Sequence, residues 1–443
     1  TNLIKESKWP TAGPQGFQVA NSCRFNSGSS DYLNRSLSST STSWTFSAWV
    51  KRGSNLGATN YIISWGNSGT DATGIGFNAS NTFQYYSESS PDNKHRQTSA
   101  VYRDTSAWYH LVVKSNSNAI TLYVNGEEPT QSWTTGSSAN PLDTSTMQIG
   151  KWVTSAYYHD GYMAEVCFID GTALDATSFG EFNSQTGIWV PKVVTGLTFG
   201  TNGFYLPFTN SGALGEDFSG EDNDFTVNNL TSIDQSTDTC STNFATLNGL
   251  HRVDDWSLAQ GNLEFTNIST GHRMTNSTIA VSQGKWYAEV KVTTLGGNYP
   301  QIGVINPDVF TFNTYLGASS KGYAYLSNGN KQYNNSASSF GDTYTTNDII
   351  GIAVDLDNHK LYFSKNGTFQ NSGDPTSGAT GTGSAFDLAT SVAYSFGQSS
   401  NDSGTDPVYS WNFGNPPFTI SSGNTDGNGF GNFEYAVPTG FLS

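Results

Sequence analysis

The chain has 443 residues, too many for one ordinary core; its length suggests two or three domains, and two is the economical count. Only 13% of its residues are charged, and Gly, Ser, Thr and Asn fill the space between 11 Trp, 22 Tyr and 27 Phe, which speaks against disorder and favours an all-β architecture of short strands and tight turns. A formal net charge of −16 speaks against a nucleic-acid partner, which needs clustered Lys and Arg, and is compatible with neutral glycans or with cations bridging to an anionic envelope.

In chain order, Thr45 to Lys51 alternates, with Phe46, Ala48 and Val50 on one face and Ser47, Trp49 and Lys51 on the other, which predicts a half-buried strand. Trp108 to Lys114 and Ala119 to Asn125 predict a hairpin followed by a turn at Asn125-Gly126. Gly161 to Asp170 is a further strand. Thr172 to Asn183, with Leu174, Phe179 and Phe182, predicts a single helical turn capping the sandwich edge. Phe204 to Asn229 is turn-rich and acidic, and the stretch after it, poor in large apolar residues, predicts an extended, solvated connector. The expected domains are therefore two antiparallel β-sandwiches over residues 1–230 and 251–443, joined by residues 231–250.

In the second half, Gly284 to Val292 alternates Trp286, Ala288, Val290 and Val292 against Lys285, Tyr287, Glu289 and Lys291, with one face dry. Asp348 to Asp355 and Lys360 to Ser364 predict a meander, with turns at Asp357-Asn358 and Asn366-Gly367, and Gly373 to Gly383 predicts a long exposed loop. No sustained heptads occur, so no coiled-coil stalk is expected. No run of 18 apolar residues occurs and Thr1 to Pro10 has no apolar core of the signal-peptide kind, so neither membrane insertion nor secretion is expected.

The segments WTFSAWV (Trp44 to Val50), WYHLVV (Trp108 to Val113), LYVNG (Leu122 to Gly126) and DGYMAEV (Asp160 to Val166), with Leu174 downstream, are similar in content and order to laminin-G-like jelly rolls of the concanavalin A-like superfamily, over roughly residues 20 to 230. GKWYAEV (Gly284 to Val290), QIGV (Gln301 to Val304), GIAVD (Gly351 to Asp355) and LYFSKNG (Leu361 to Gly367) resemble the strands of a SPRY domain over residues 280 to 415. This tandem, with RFNSGSSDYL (Arg24 to Leu33) opening the first module and NFATLN (Asn243 to Asn248) near the junction, looks like virion proteins of tailed bacteriophages. The resemblance implies a tail fibre, spike or capsid fibre on the virion surface, without saying which. It also implies a host-surface glycan or protein and other virion proteins as partners, and a homotrimer as the family expectation. A capsid decoration or fibre-collar protein is the alternative.

Some concanavalin A-like sandwiches are glycoside hydrolases that work with paired carboxylates. Their E-x-D-x-E arrangement is absent around Glu165 and Glu289, so no enzyme is expected and a polysaccharide depolymerase is the weaker alternative. No G-x-S-x-G elbow occurs. His95, His110, His159, His251, His272 and His359 include no pair with metal spacing, and Cys23, Cys167 and Cys240 read as small core residues. Glu216, Asp217, Glu221, Asp222 and Asp224 offer oxygen ligands of the kind calcium takes but lack the EF-hand order, and Asp71 and Asp160 are similarly weak cation candidates; no cofactor is called for. Aromatic residues in polar surroundings carry the remaining signal, because sugars stack their C–H faces on flat rings. Trp65, Tyr85, Tyr86, Trp152, Tyr157, Tyr158, His159 and Asp160 are the glycan-binding candidates in the first module, and Tyr323, Tyr325 and Tyr344 those in the second.

Overall fold

Phe46, Ala48 and Val50 of the strand Trp44–Arg52 enter one core together with Ile63, Ile75 and Phe83 from other strands, so two sheets close face to face over the first half. The structure is a computed structural model that describes residues 16–68, 70–89, 93–250, 255–297, 300–308, 313–401 and 404–443. One sheet orders its strands as Gln235–Ser236, Ser22–Phe25, Gly161–Asp170, Trp44–Arg52, Trp108–Asn116 and Ala119–Val124, with Phe204–Leu206 also paired to Gly161–Asp170. The facing sheet runs Gln131–Thr135, Lys94–Val101, Thr82–Ser89, Asp71–Phe77, Asn60–Ser68, Thr146–Ile149, Tyr32–Ser36 and Thr226–Asn228. The hairpin between Trp108–Asn116 and Ala119–Val124 turns through Ser117 and Asn118, both at positive φ (49° and 68°), the twist that a two-residue turn needs.

The second half repeats the plan. An eight-stranded sheet centred on Lys285–Thr294, Ile349–Asp355 and Val408–Asn412 faces a six-stranded sheet centred on Gln301–Ile305 and Ser395–Ser400. Ala288, Val290, Ile350, Ile352 and Val354 meet Ile302, Val304 and Tyr325 in its core. The architecture is all-β and antiparallel, and among the described residues the only helical elements are single 3₁₀ turns.

The half-buried strand expected at Thr45 to Lys51 is buried on both faces. Residues 172–200 fold back over the outer side, where Phe179, Trp189 and Phe199 cover Trp49, Trp108, Val112 and Tyr162. Residues 176–178 form the expected helical turn, but Leu174 and Phe179 lie against this outer face and Phe182 stays 50% exposed. The second sandwich is treated in the same way: Phe433 and Phe441 cover Tyr287, Ala353 and Tyr362. Glu289 fastens that cover. It is fully buried and accepts the backbone N–H groups of Glu434 (2.9 Å) and Tyr435 (2.8 Å), with Tyr287 Oη and Asn412 Nδ2 as further donors.

The acidic stretch 204–229 belongs to the first sandwich, since Phe204–Leu206 and Thr226–Asn228 pair into its two sheets. The solvated connector expected after it is instead drawn inward by a buried ion pair. Lys51 Nζ donates to Asp238 Oδ2 at 2.7 Å, to Asn243 Oδ1 at 2.8 Å and to the Phe244 carbonyl at 2.8 Å. Asp238 also accepts Trp108 Nε1 at 3.1 Å and Asn415 Nδ2 at 3.2 Å, so one carboxylate holds groups from both halves. Tyr162 Oη donates to the Gly261 carbonyl (3.0 Å) and Ser54 Oγ to the Leu258 carbonyl (3.1 Å) across the same junction.

Candidate functional site

Alternation along the eight-stranded sheet of the first sandwich sends Ile75, Phe77, Phe83 and Tyr85 into the core and leaves Ala72, Gly74, Gln84 and Tyr86 on the outward face. A bulge in the strand Asn60–Ser68 between Tyr61 and Ile63 breaks its alternation, so Ile62, Ile63 and Trp65 point inward while Tyr61 joins the outward face. Gly74 makes room there: a Cβ at this residue would lie 2.6 Å from Tyr61 and 2.7 Å from Trp152. Tyr61 and Trp152 pack with ring centroids 4.3 Å apart, and Tyr86 lies 6.0 Å from Trp152. Tyr157 approaches Tyr61 at 6.4 Å and is 51% exposed.

The result is a tyrosine shelf on a buried aromatic floor. Trp152 is only 3% exposed and forms the floor with Tyr61, while Tyr157 is exposed and Tyr86 and Tyr158 are partly so, the Tyr86 hydroxyl accepting Asn93 Nδ2 at 3.2 Å. Lys151 Nζ sits 4.5 Å from the Tyr32 ring centroid and 5.4 Å from that of Tyr158, a cation held between two rings. His95 stands edge-on to Tyr86 at 5.7 Å, with its Nδ1 2.8 Å from Thr134 Oγ1. Burial holds the Tyr61 hydroxyl far above the usual phenol range, so it remains a neutral donor. Gly74→Val is expected to lift Trp152 off this floor, with a red shift of Trp fluorescence at little cost to the fold; an unchanged spectrum would contradict the packing described.

Four of the first-module candidates, Tyr86, Trp152, Tyr157 and Tyr158, are thus brought to one face, and the others are not. Trp65 and Tyr85 are core residues: Trp65 packs edge-on against Trp44 at 5.2 Å, and Tyr85 Oη accepts the Asn140 N–H at 3.1 Å. Tyr85 and Tyr86 are adjacent, and a strand can turn only one of them outward. His159 is fully buried, with neither ring nitrogen hydrogen-bonded among the described residues, and burial pushes its pKa down to about 3. Asp160 is buried beside Gly53, accepts Ser54 N at 3.0 Å, and is pushed up to about 6 by burial. Neither presents a polar atom for a ligand. The second-module candidates are corrected in the same way. Tyr323, Tyr325 and Tyr344 are buried in the core; Tyr323 stacks on Tyr333 at 4.6 Å, Tyr325 donates to the Asp342 carbonyl and Tyr344 to that of Pro300.

Sequence reasoning did not include Tyr61, Tyr32 or Lys151, and it also missed a groove on the opposite sheet. Trp49, Trp108, Tyr102 and Trp189 line this groove of about 430 Å³, with Phe182 (50% exposed) and Ile188 (63% exposed) on its rim. The strands Gly180–Phe182 and Trp189–Pro191 pair across the rim, and only their tertiary fold-back creates the groove.

Two groups suited to acid–base work, His110 and Glu165, are each committed to protein partners. Trp189 Nε1 donates to His110 Nδ1 (3.0 Å), which leaves Nε2 protonated and donating to Ser47 Oγ (2.9 Å); His110 therefore cannot take a proton from that hydroxyl. Burial pushes the His110 pKa down to about 3. Glu165 sits at φ 51°, where the pairing with Trp44–Arg52 is irregular, and its carboxylate accepts Tyr205 Oη at 2.5 Å. In the acidic run, Asp217 accepts the N–H groups of Tyr205 (2.8 Å), Ser219 (2.8 Å) and Asn223 (2.9 Å), so it closes a turn. Asp71 lies with Asp143 on a cleft of about 800 Å³. Among the described residues no three His, Cys, Asp or Glu side chains converge as a metal site; His251 lies outside the described residues.

A family model described as the concanavalin A-like lectin/glucanases superfamily matches residues 26–177, and the SPRY domain model matches residues 285–399. Among curated proteins, the Ran-binding proteins 9/10 homolog of Drosophila melanogaster is 29% identical over 120 residues, which is 25% of this chain and 12% of that protein. ATP-dependent RNA helicase DDX1 of Xenopus laevis is 31% identical over 91 residues, 20% of this chain and 12% of that protein. The chain thus spans about an eighth of the length of these relatives. Among solved structures, the SPRY domain of human HERC1 is similar over 34% of this chain and 87% of that one, at 18% identity and a TM-score of 0.28. The chain carries in tandem a domain of the concanavalin A-like lectin/glucanase superfamily and a SPRY domain.

Proposed function

We propose that this chain is a non-enzymatic recognition protein of a bacteriophage virion surface, a fibre or adhesin, and that it binds a host-surface glycan on the tyrosine shelf over Trp152. The observation that carries this is the shelf itself: the exposed Tyr157 and the partly exposed Tyr86 and Tyr158 on a rigid aromatic floor suit the C–H faces and hydroxyls of a sugar. The absence of an enzymatic role is supported by Glu165 and Glu289, which lie in different sandwiches and are each held by protein donors. The virion setting rests on the resemblance of the tandem.

A glycan array probed with the full chain should show binding, and Tyr157→Ala and Tyr86→Ala should each weaken the strongest ligand by about tenfold, or about 1.4 kcal/mol. Melting temperatures should stay near the parent value, because both side chains reach solvent. Binding unaffected by either variant would refute the shelf. A second reading, a capsid decoration or fibre-collar protein, is favoured by the groove with exposed Phe182 and Ile188, which suits a protein neighbour. Immunolabelling of particles separates the two: an adhesin clusters at the fibre or tail tip, and a decoration protein covers the head.

A further inference from the structure

The buried ion pair of the junction has a third member. Lys51 and Asp238 are each 0% exposed, and Lys51 Nζ, besides donating to Asp238 Oδ2 at 2.7 Å, donates to the side-chain carbonyl of Asn243 at 2.8 Å. A carbonyl bond is about 1.23 Å long, so the lysine nitrogen stands within about 4 Å of Asn243 Cγ. An amine, an acyl carbon and a carboxylate base thus share one place, and the entropy of their encounter is already spent.

The surroundings favour reaction between them. A dry lysine and aspartate relieve their charges by passing a proton from one to the other. Burial works that way here, pushing the Lys51 ammonium below its ordinary range and the Asp238 carboxyl above its own. The amine so released is a nucleophile. Trp108 Nε1 on Oδ1 (3.1 Å) and Asn415 Nδ2 on Oδ2 (3.2 Å) fix the Asp238 carboxyl in place. Asn243 is exposed, with its Nδ2 donating to the Ser106 carbonyl at 2.8 Å, so the attacking end is dry and the departing end is wet. Lys94 offers a comparison: it donates to Asn140 Oδ1 at 2.6 Å but is only partly buried, and no carboxylate is bonded to it among the described residues.

From this geometry we infer that Lys51 and Asn243 join in an amide bond, a covalent cross-link between the strand Trp44–Arg52 and the connector. Lys51 Nζ gives a proton to Asp238 and attacks Asn243 Cγ, after the carboxamide has turned away from Ser106. The Nζ–Cγ bond forms and the Cγ–Nδ2 bond breaks. Nδ2 leaves with its own two protons, one from the attacking nitrogen and the one held by Asp238, so it departs as ammonium and Asp238 is a carboxylate again. Nothing is oxidised or reduced, and no co-reactant is needed. The ion pair is the state before reaction, and its energetics are those of the chain not yet linked. The two residues lie 192 positions apart, so the bond closes a long loop and restrains the unfolded chain.

Mass spectrometry of the intact full chain, on purification and after days of incubation, tests this. The parent should lose the mass of one ammonia, and proteolysis should release a branched peptide that joins Lys51 to residue 243 and resists trypsin at Lys51. Asn243→Ser, at an exposed position, should fold and keep its full mass. The linked parent should melt at a higher temperature than this variant. Asp238→Asn should slow linking by about a hundredfold or more, as loss of acid–base catalysis does. If Asp238→Asn fails to fold, as judged by circular dichroism, Asn243→Ser decides. The cross-link is refuted if the parent keeps its full mass, or if the deficit survives in Asn243→Ser or maps to a succinimide within one peptide. Linking of Lys94 to Asn140 at the same rate would overturn the part given to Asp238.

Discussion

Asp238→Asn should cost the fold about 3–5 kcal/mol, measured by urea unfolding, because it strands the Lys51 ammonium in a dry junction. Burial pushes the Asp238 carboxyl above the usual range and the Lys51 ammonium below its own, so desolvation outweighs the attraction within the pair. The pair as a whole therefore adds little net stability, while either member alone is expensive. A double variant, Lys51→Met with Asp238→Asn, should accordingly recover most of the loss. Asp238 also ties Trp108 to Asn415, so in the single variant the two sandwiches should unfold in separate steps, with fluorescence and far-UV circular dichroism no longer coincident. A loss under about 1 kcal/mol would show that water reaches Lys51 and that the junction is not dry.

The second large effect concerns pH. Burial pushes Glu165 up to about 7, so the folded chain holds a proton there that the unfolded chain has released above about 4.5. The stability linked to this group is present in full below pH 4.5 and is lost as pH rises through 7. Glu165→Gln, which keeps an acceptor for Tyr205 without the charge, should gain on the parent by about 3 kcal/mol between pH 4.5 and 7.5, at about 1.4 kcal/mol for each tenfold difference in proton affinity between the folded and unfolded chain. Asp160 and Glu289, each pushed up to about 6 by burial, act in the same direction over a lower window. His110 and His159 act oppositely: both are held near 3, so what they contribute is present above about 6.5 and is lost as pH falls toward 3. The two sets act over one shared window and offset each other there, so the difference between Glu165→Gln and the parent isolates Glu165; parallel curves for the two would show that Glu165 titrates normally.

Much of the fold was legible because its cause is local. Alternation set the inward residues of Trp44–Arg52 and Ile349–Asp355, and Asn-Gly at 125–126 and 366–367 set turns through positive φ. What the sequence hid is tertiary. Trp49, Tyr287 and Glu289 stand where an outward, solvated residue is expected, and only distant segments, 172–200 and 424–443, cover them. The connector looked solvated because nothing local shows that Lys51, 187 residues away, needs Asp238. The shelf was half legible. Polar company marked Trp152 and Tyr157, but the bulge that turns Tyr61 outward and Trp65 inward has no signature in the residue types around it. The tyrosines at 323 and 325 share one strand face, and that face is the inner one.

The backward-folding covers bear on how such a protein can be recombined. The segments matched as families end at residues 177 and 399, ahead of Trp189, Asp238 and Phe433, which seal the sheets those segments build. A gene exchange cut at those borders would hand its host a sheet with a greasy back and an orphaned cation. Inheritance of either recognition module therefore has to include the tail that follows it.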